Sequence, residues 1–327
     1  NQRWNSDKIV TGDSMEDRVA FTTSMPEMDG DGSPQAPRGG SVLRDEWIVT
    51  VGSVGDCKLY HLRHGGGFTV KEVTSQSRPD GAYEPCDCGG RLGPARDGEP
   101  DLRNFSLRSR LCQSGDYLLM VSDGVHDNLE PESLGLSPAM ALDFMRRGSS
   151  PALEESDFPT PGEGDSWDSL GVWHTIRLKY AFAENLLRDI LAGNAEGDPA
   201  PCLCLYCTSP AYLRALEHVT ASLPEKRAEL RRDLVALATT LRTSPRSHGR
   251  EIEPPAMGQV TPALFRHCRQ VTLISRTEMQ SNQGKRLDKD YSLYPGKMDH
   301  TSAVCLRVGH HTEQAVEGVD APLTVLE

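Results

Sequence analysis

The sequence predicts an α+β fold, with strands gathered in its first half and helices in its second. Three observations carry that reading. Short β-branched and aromatic runs punctuated by Gly and Asp occupy residues 46 to 121, apolar residues recur at helical spacing from about residue 137, and one more β-rich run, TSAVCLRVG, returns near the end. With 327 residues, 37% of them hydrophobic, the chain can bury a sizeable core. It reads as a single domain over 1–327.

The elements follow in order. The first residue is Asn rather than Met, so the chain is expected to begin inside a longer protein. PEMDGDGSPQAPRGGSVLRDE (26 to 46) is a loop by its Gly, Pro and Asp content. EWIVTVGSVG and DCKLYHLR flank a Gly55-Asp56 turn, and three glycines from Gly65 lead into FTVKEVT, the pattern of an antiparallel meander. A polar loop holding Cys86 and Cys88 separates these from FSLRSRL and YLLMVS. PAMALDFMRRG, TIRLKYAFAENLLRDILAG and PAYLRALEHVTASLPEKRAELRRDLVALATTLR then carry helical periodicity, broken by Pro and Gly. PALFRHCRQVTLISRTEMQSN is a further helix. The expectation is a large helical insertion over 130–260 with an acidic, mobile Pro/Ser/Gly loop near 150–170, and a tail over 310–327.

Composition narrows the function. A formal charge of −12 argues against a nucleic-acid or anionic-membrane surface, because either needs a basic patch. No apolar stretch approaches the ~20 residues that span a bilayer. Nine cysteines without a secretory leader suggest reduced thiols and a cytoplasmic or nuclear setting.

Within YLLMVSDGVHDNL the apolar strand gives way at once to Ser-Asp-Gly, which puts Asp123 at a strand end beside a glycine, a usual place for a metal ligand. Three stretches together, VGSVGDCKLYHLR, SDGVHDNL and KMDHTSAVCLRV, resemble the metal-dependent protein phosphatase family, the type 2C or PPM phosphatases. The resemblance covers roughly residues 47 to 309. It implies a sandwich of two antiparallel β-sheets flanked by helices, incomplete here on its N-terminal side, and two Mg²⁺ or Mn²⁺ ions that activate a bridging water against phosphoserine or phosphothreonine. Carried over, Asp123 and Asp299 become metal-ligand carboxylates, Gly124 lets the chain turn close to the metal, and Gly55-Asp56 is the family's turn. Asp127 either binds an outer ion or caps a helix.

The front of the chain reads in two ways. SMEDRVAF and EMDGDGS resemble the family's Met-Glu-Asp and Asp-Gly motifs, which would make Asp29 and Gly30 metal-site residues. Only 25 residues separate Gly30 from Gly55, too few for the long helices that normally intervene. Alternatively, RVAFTTSMPEM is the Thr-Thr segment that follows those helices; this fits the short spacing, leaves Glu16 and Asp17 as surface charges and removes the bridging aspartate. Two function classes result: an active Mg²⁺/Mn²⁺-dependent Ser/Thr phosphatase acting on a phosphorylated protein, or an inactive phosphatase-like scaffold that binds phosphoproteins. Separately, CLCLYC (202 to 207) has Cys-x-Cys-x-x-Cys spacing. With Cys86 and Cys88 it could form a four-thiolate zinc site, but without paired knuckles the expectation is free thiols in a half-buried segment. His310 and His311 read as solvated.

Overall fold

The computed structural model describes residues 46–65, 67–74, 90–94, 98–147, 161–162, 164–192, 201–244, 255–282, 287 and 289–309. All belong to one compact unit, Arg44–Glu327. The fold is α+β, with antiparallel sheets and several helices, as the sequence predicts.

Strands β1 (Glu46–Ser53), β2 (Lys58–Arg63), β3 (Thr69–Glu72), β4 (Arg91–Pro94), β5 (Pro100–Asp101), β6 (Ser106–Gln113) and β7 (Tyr117–Val121) precede the helices, and β8 (Ala303–Arg307) follows them. A four-stranded antiparallel sheet runs β3-β2-β7-β8, β1 pairs with β6, and β4 pairs with β5 as a short ribbon. The helices are the single turn α1 (Asp123–His126), α2 (Pro138–Arg147), α3 (Val172–Ala192), α4 (Pro210–Ser222), α5 (Ala228–Thr243), α6 (Met257–Val271) and α7 (Leu273–Ser281).

Side-chain period decides how these layers stack. Along β2 and β7 alternate residues face opposite ways. Leu59 and Leu118 share a small core with Val73, Cys112 and Val308, against which Trp47, Val49 and Val51 of β1 pack. Their neighbours Tyr60, Leu62, Leu119 and Val121 join the main core with Phe182, Leu186 and Ile190 of α3 and Val260 and Leu264 of α6. The four-stranded sheet is thus covered by strands on one side and helices on the other, which is why β2 is buried at five successive positions while β1 alternates. Each large apolar side chain fully buried there stabilises by about 1.5–3 kcal/mol.

Residues 46 to 74 are not a simple meander. β1 pairs with β6, whereas β2 pairs with β3 and β7, so the Gly55-Asp56 turn carries the chain from one sheet to the other instead of closing a hairpin. The physical reason is β2's double-sided burial, which requires β1 to lie across it and not beside it. A second Gly-Asp, Gly115-Asp116, makes the same crossing between β6 and β7. Both glycines have positive φ, 92° and 98°.

The helical half also departs from expectation in detail. The pattern over 210–242 divides at Leu223, which is extended as a residue before proline prefers. The helix expected from Pro262 starts five residues earlier, at Met257, because the added turn buries Val260 in phase with Ala263 and Leu264. Of the expected acidic loop, 150–160 lies outside the described residues, as do Asp29, Gly30, Cys86, Cys88 and the tail from residue 310. Its far end is anchored: the Trp167 indole N–H donates to the Leu136 carbonyl at 2.9 Å, and Lys179 Nζ lies 5.3 Å from the indole centroid.

Asp116 holds the second crossing. Its buried carboxylate lies 2.8 Å from His61 Nε2 and accepts the backbone N–H groups of Gln113 at 2.9 Å and His64 at 3.1 Å. Burial opposes ionisation, but these partners together hold the carboxyl below its ordinary value. His61, desolvated first and foremost, is held below the usual imidazole value and is neutral at neutral pH. Both depressed groups contribute stability that is full at neutral pH and lost on acidification, His61 as pH falls below the histidine range and Asp116 as it falls through the carboxylate range. Asp116→Asn is therefore expected to cost about 1–3 kcal/mol at neutral pH and to flatten the acid limb, as read from urea unfolding over a pH series.

Candidate metal centre at the strand ends

The register of β7 against β8 sets Val121 opposite Ala303, so the segments that leave these strands, Ser122-Asp123-Gly124 and Asp299-His300-Thr301-Ser302, emerge side by side. Ser122 clasps them. Its N–H donates to the Ser302 carbonyl at 3.0 Å, its hydroxyl donates to the His300 carbonyl at 3.1 Å, and the same oxygen accepts the Ser302 N–H at 3.0 Å. Gly124 completes the contact. A Cβ there would lie 2.3 Å from the His300 carbonyl oxygen and 3.0 Å from the Asp299 carbonyl carbon, so only glycine permits this approach.

Asp123 is half-buried, and its Oδ1 accepts the Gly124 N–H at 2.7 Å. Asp299 is exposed, and its Oδ1 accepts the His300 N–H at 2.9 Å. The Gly55-Asp56 turn lies in the same neighbourhood: desolvation first, and then the Asp56 and Asp123 carboxylates, push the adjacent Cys57 thiol up. Asn104 ties that turn, donating to the Gly55 carbonyl at 2.6 Å and accepting the Gly55 N–H at 3.0 Å.

Asp127 comes one helical turn after Asp123, but its carboxylate is already engaged. Lys297 Nζ lies 2.6 Å from Oδ2 and His126 Nδ1 3.2 Å from Oδ1. Burial alone would raise this carboxyl; His126 and Lys297 outweigh it and bring it down to about 2. Glu130, close to His126 and Asp127, is met by Lys58, whose Nζ is 3.4 Å away and also 3.6 Å from Glu72. The His126, Asp127 and Glu130 group is one of two in which three or more ligand atoms lie within 4.8 Å of one another among the described residues, and both of its carboxylates already meet a lysine.

Among the described residues this donor set does not make up a two-ion centre. Two carboxylates at adjacent strand ends are the oxygen ligands that a hard divalent ion takes, yet neither group of three or more potential ligands includes Asp123 or Asp299, and Asp127 holds a lysine. The second group differs in kind. Cys202, Cys204 and Cys207 are free of disulfides, as expected, but fully buried and not half-buried, and they meet His267, a buried histidine of α6 that the sequence did not single out. Its signal was available: His267 falls in the stripe Val260, Ala263, Leu264, Cys268, Val271, where a polar side chain needs a partner.

One residue links the two regions. The Asn128 amide donates to the Gly124 carbonyl at 2.8 Å and the Lys297 carbonyl at 3.0 Å and accepts the Lys297 N–H at 3.0 Å, while the Asn128 carbonyl meets His267 Nε2 at 3.0 Å. Gly124→Ala is expected to cost about 1–3 kcal/mol through overpacking against His300. Gly258→Ala, where an added Cβ meets nothing within 4 Å, is expected to be neutral or to stabilise by up to about 1 kcal/mol. Thermal melts of both variants check the contrast.

No described helix is long and apolar enough to cross a membrane. No family model matches the chain, and no solved structure matches it. The chain is similar to a PP2C-like domain-containing protein of Drosophila melanogaster, 33% identical over 89 residues that make up 26% of this chain and 12% of that protein.

Proposed function

We propose that this chain is a phosphatase 2C-like module that no longer hydrolyses phosphate and instead binds protein partners, phosphorylated ones first. The likeness to a PP2C-like domain protein supports the family side of this reading. The observation that carries the inactivity is the 2.6 Å contact between Lys297 and Asp127. A two-metal hydrolase needs carboxylates enough to hold both ions and a bridging water. Here a lysine supplies the positive charge beside Asp127, which leaves Asp123 and Asp299 as the free pair at the strand ends, a set that holds Mg²⁺ or Mn²⁺ weakly.

The test is hydrolysis of p-nitrophenyl phosphate and of a phosphopeptide by the chain at millimolar Mn²⁺. No turnover above background is expected, and Asp123→Ala should change nothing. Turnover abolished by both Asp123→Ala and Asp29→Ala would overturn the proposal and make EMDGDGS a metal-bridging motif. Turnover abolished by Asp123→Ala alone would overturn it equally. Lys297→Met frees Asp127 for an ion, so Mn²⁺ affinity measured by electron paramagnetic resonance should rise by on the order of tenfold; unchanged affinity would mean that Lys297 is not what withholds this ligand.

A further inference from the structure

Three sulfurs converge on one imidazole nitrogen beneath the helices. Cys202, Cys204 and Cys207 Sγ lie 3.7, 3.5 and 3.8 Å from His267 Nδ1. All four side chains are essentially inaccessible, at 0%, 1%, 0% and 0% exposure, and none of the three cysteines is in a disulfide. A neutral imidazole nitrogen accepts one proton donor, so hydrogen bonding accounts for one of these three contacts at a time. A tetrahedral zinc ion accounts for all of them. Metal–sulfur bonds of about 2.3 Å and metal–nitrogen bonds of about 2.0–2.1 Å place sulfur and nitrogen about 3.6 Å apart and sulfurs about 3.8 Å apart.

The surroundings are built for ligation. His267 Nε2 lies 3.0 Å from the Asn128 carbonyl, so a proton there fixes the tautomer and turns the Nδ1 lone pair toward the sulfurs. The Cys207 N–H donates to Cys204 Sγ at 3.4 Å, which stabilises a thiolate. Gln270 holds the Cys202 backbone from both sides, accepting its N–H at 2.7 Å and donating to its carbonyl at 3.0 Å. The Asp189 carboxylate accepts the Leu205 N–H at 2.5 Å.

We propose that Cys202, Cys204, Cys207 and His267 form a structural zinc site that closes a tetrahedron around one Zn²⁺. On binding, the three thiols lose their protons to solvent and the imidazole binds as the neutral base. Three soft sulfurs and one nitrogen select zinc over Mg²⁺ or Mn²⁺. Four buried protein ligands leave no open position, so the ion holds the 202–207 loop to α6 and takes no part in chemistry. The site is independent of whether the strand-end centre binds an ion or hydrolyses phosphate.

The decisive experiment is metal analysis of the full chain purified under reducing conditions without chelator, with zinc-edge X-ray absorption on the same sample. About one zinc per chain is expected, with a first shell of three sulfurs at ~2.3 Å and one nitrogen at ~2.0–2.1 Å. Cys204→Ser and His267→Ala should each lower bound zinc at least tenfold, and Cys305→Ser, in β8, should not. If the ligand variants are insoluble, the wild-type absorption spectrum decides. A chain that takes up no zinc when supplied with it, a first shell of oxygens, or a soluble Cys204→Ser protein with its zinc undiminished would each overturn the proposal.

Discussion

The amide of Asn128 is the point on which the candidate centre depends. It joins two stretches of chain 169 residues apart, the turn after β7 and the approach to β8, through three hydrogen bonds to backbone groups. Asn128 is fully buried, so an unpaired amide would carry a full desolvation cost, and each bond is worth about 1 kcal/mol net when made. Together with the β7–β8 register and the Ser122 bonds, this clasp fixes the Asp123 and Asp299 segments relative to each other. Ser122 repeats the arrangement at the strand ends, and Gly124 permits both by carrying no side chain.

Charge is balanced inside this acidic chain to an extent that its net −12 conceals. Lys58 lies among Glu72 and Glu130, and Lys297 faces Asp127. Ion pairs this deeply placed add little net stability relative to apolar packing, but losing one partner strands the other. Their consequence is chemical: carboxylates that could have taken a cation are already served. The sulfur and nitrogen donors beneath the helices follow another logic, since three sulfurs and one imidazole nitrogen suit a different ion.

Much of the layout was legible in the sequence. Short β-rich runs before residue 121 and helical spacing after residue 137 anticipated the α+β class, while the association of Asp123 with Asp299 came only from the family resemblance. The Gly55-Asp56 turn does not reveal its crossing, because a positive-φ glycine serves a hairpin and a crossing between sheets equally well; only the burial of both faces of β2 distinguishes them, and a short apolar run does not display that. Lys297 was invisible as a partner for Asp127 because a pairing across 170 residues leaves no local trace. Cysteine spacing does not reveal His267, because the fourth member of the group lies 60 residues beyond Cys207 on the buried stripe of a helix.

The clasp is tested most directly by native-state hydrogen exchange of Asn128→Ala against the parent chain. The Lys297 N–H bonds to the Asn128 side chain, and the Ser302 N–H bonds to Ser122 in the segment that the clasp positions. If Asn128 sets the candidate centre, both amides should exchange at least about tenfold faster in the variant, while the amides of β2 keep their protection. Lys297 and Ser302 amides as protected as in the parent chain, or an equal loosening of β2, would contradict it.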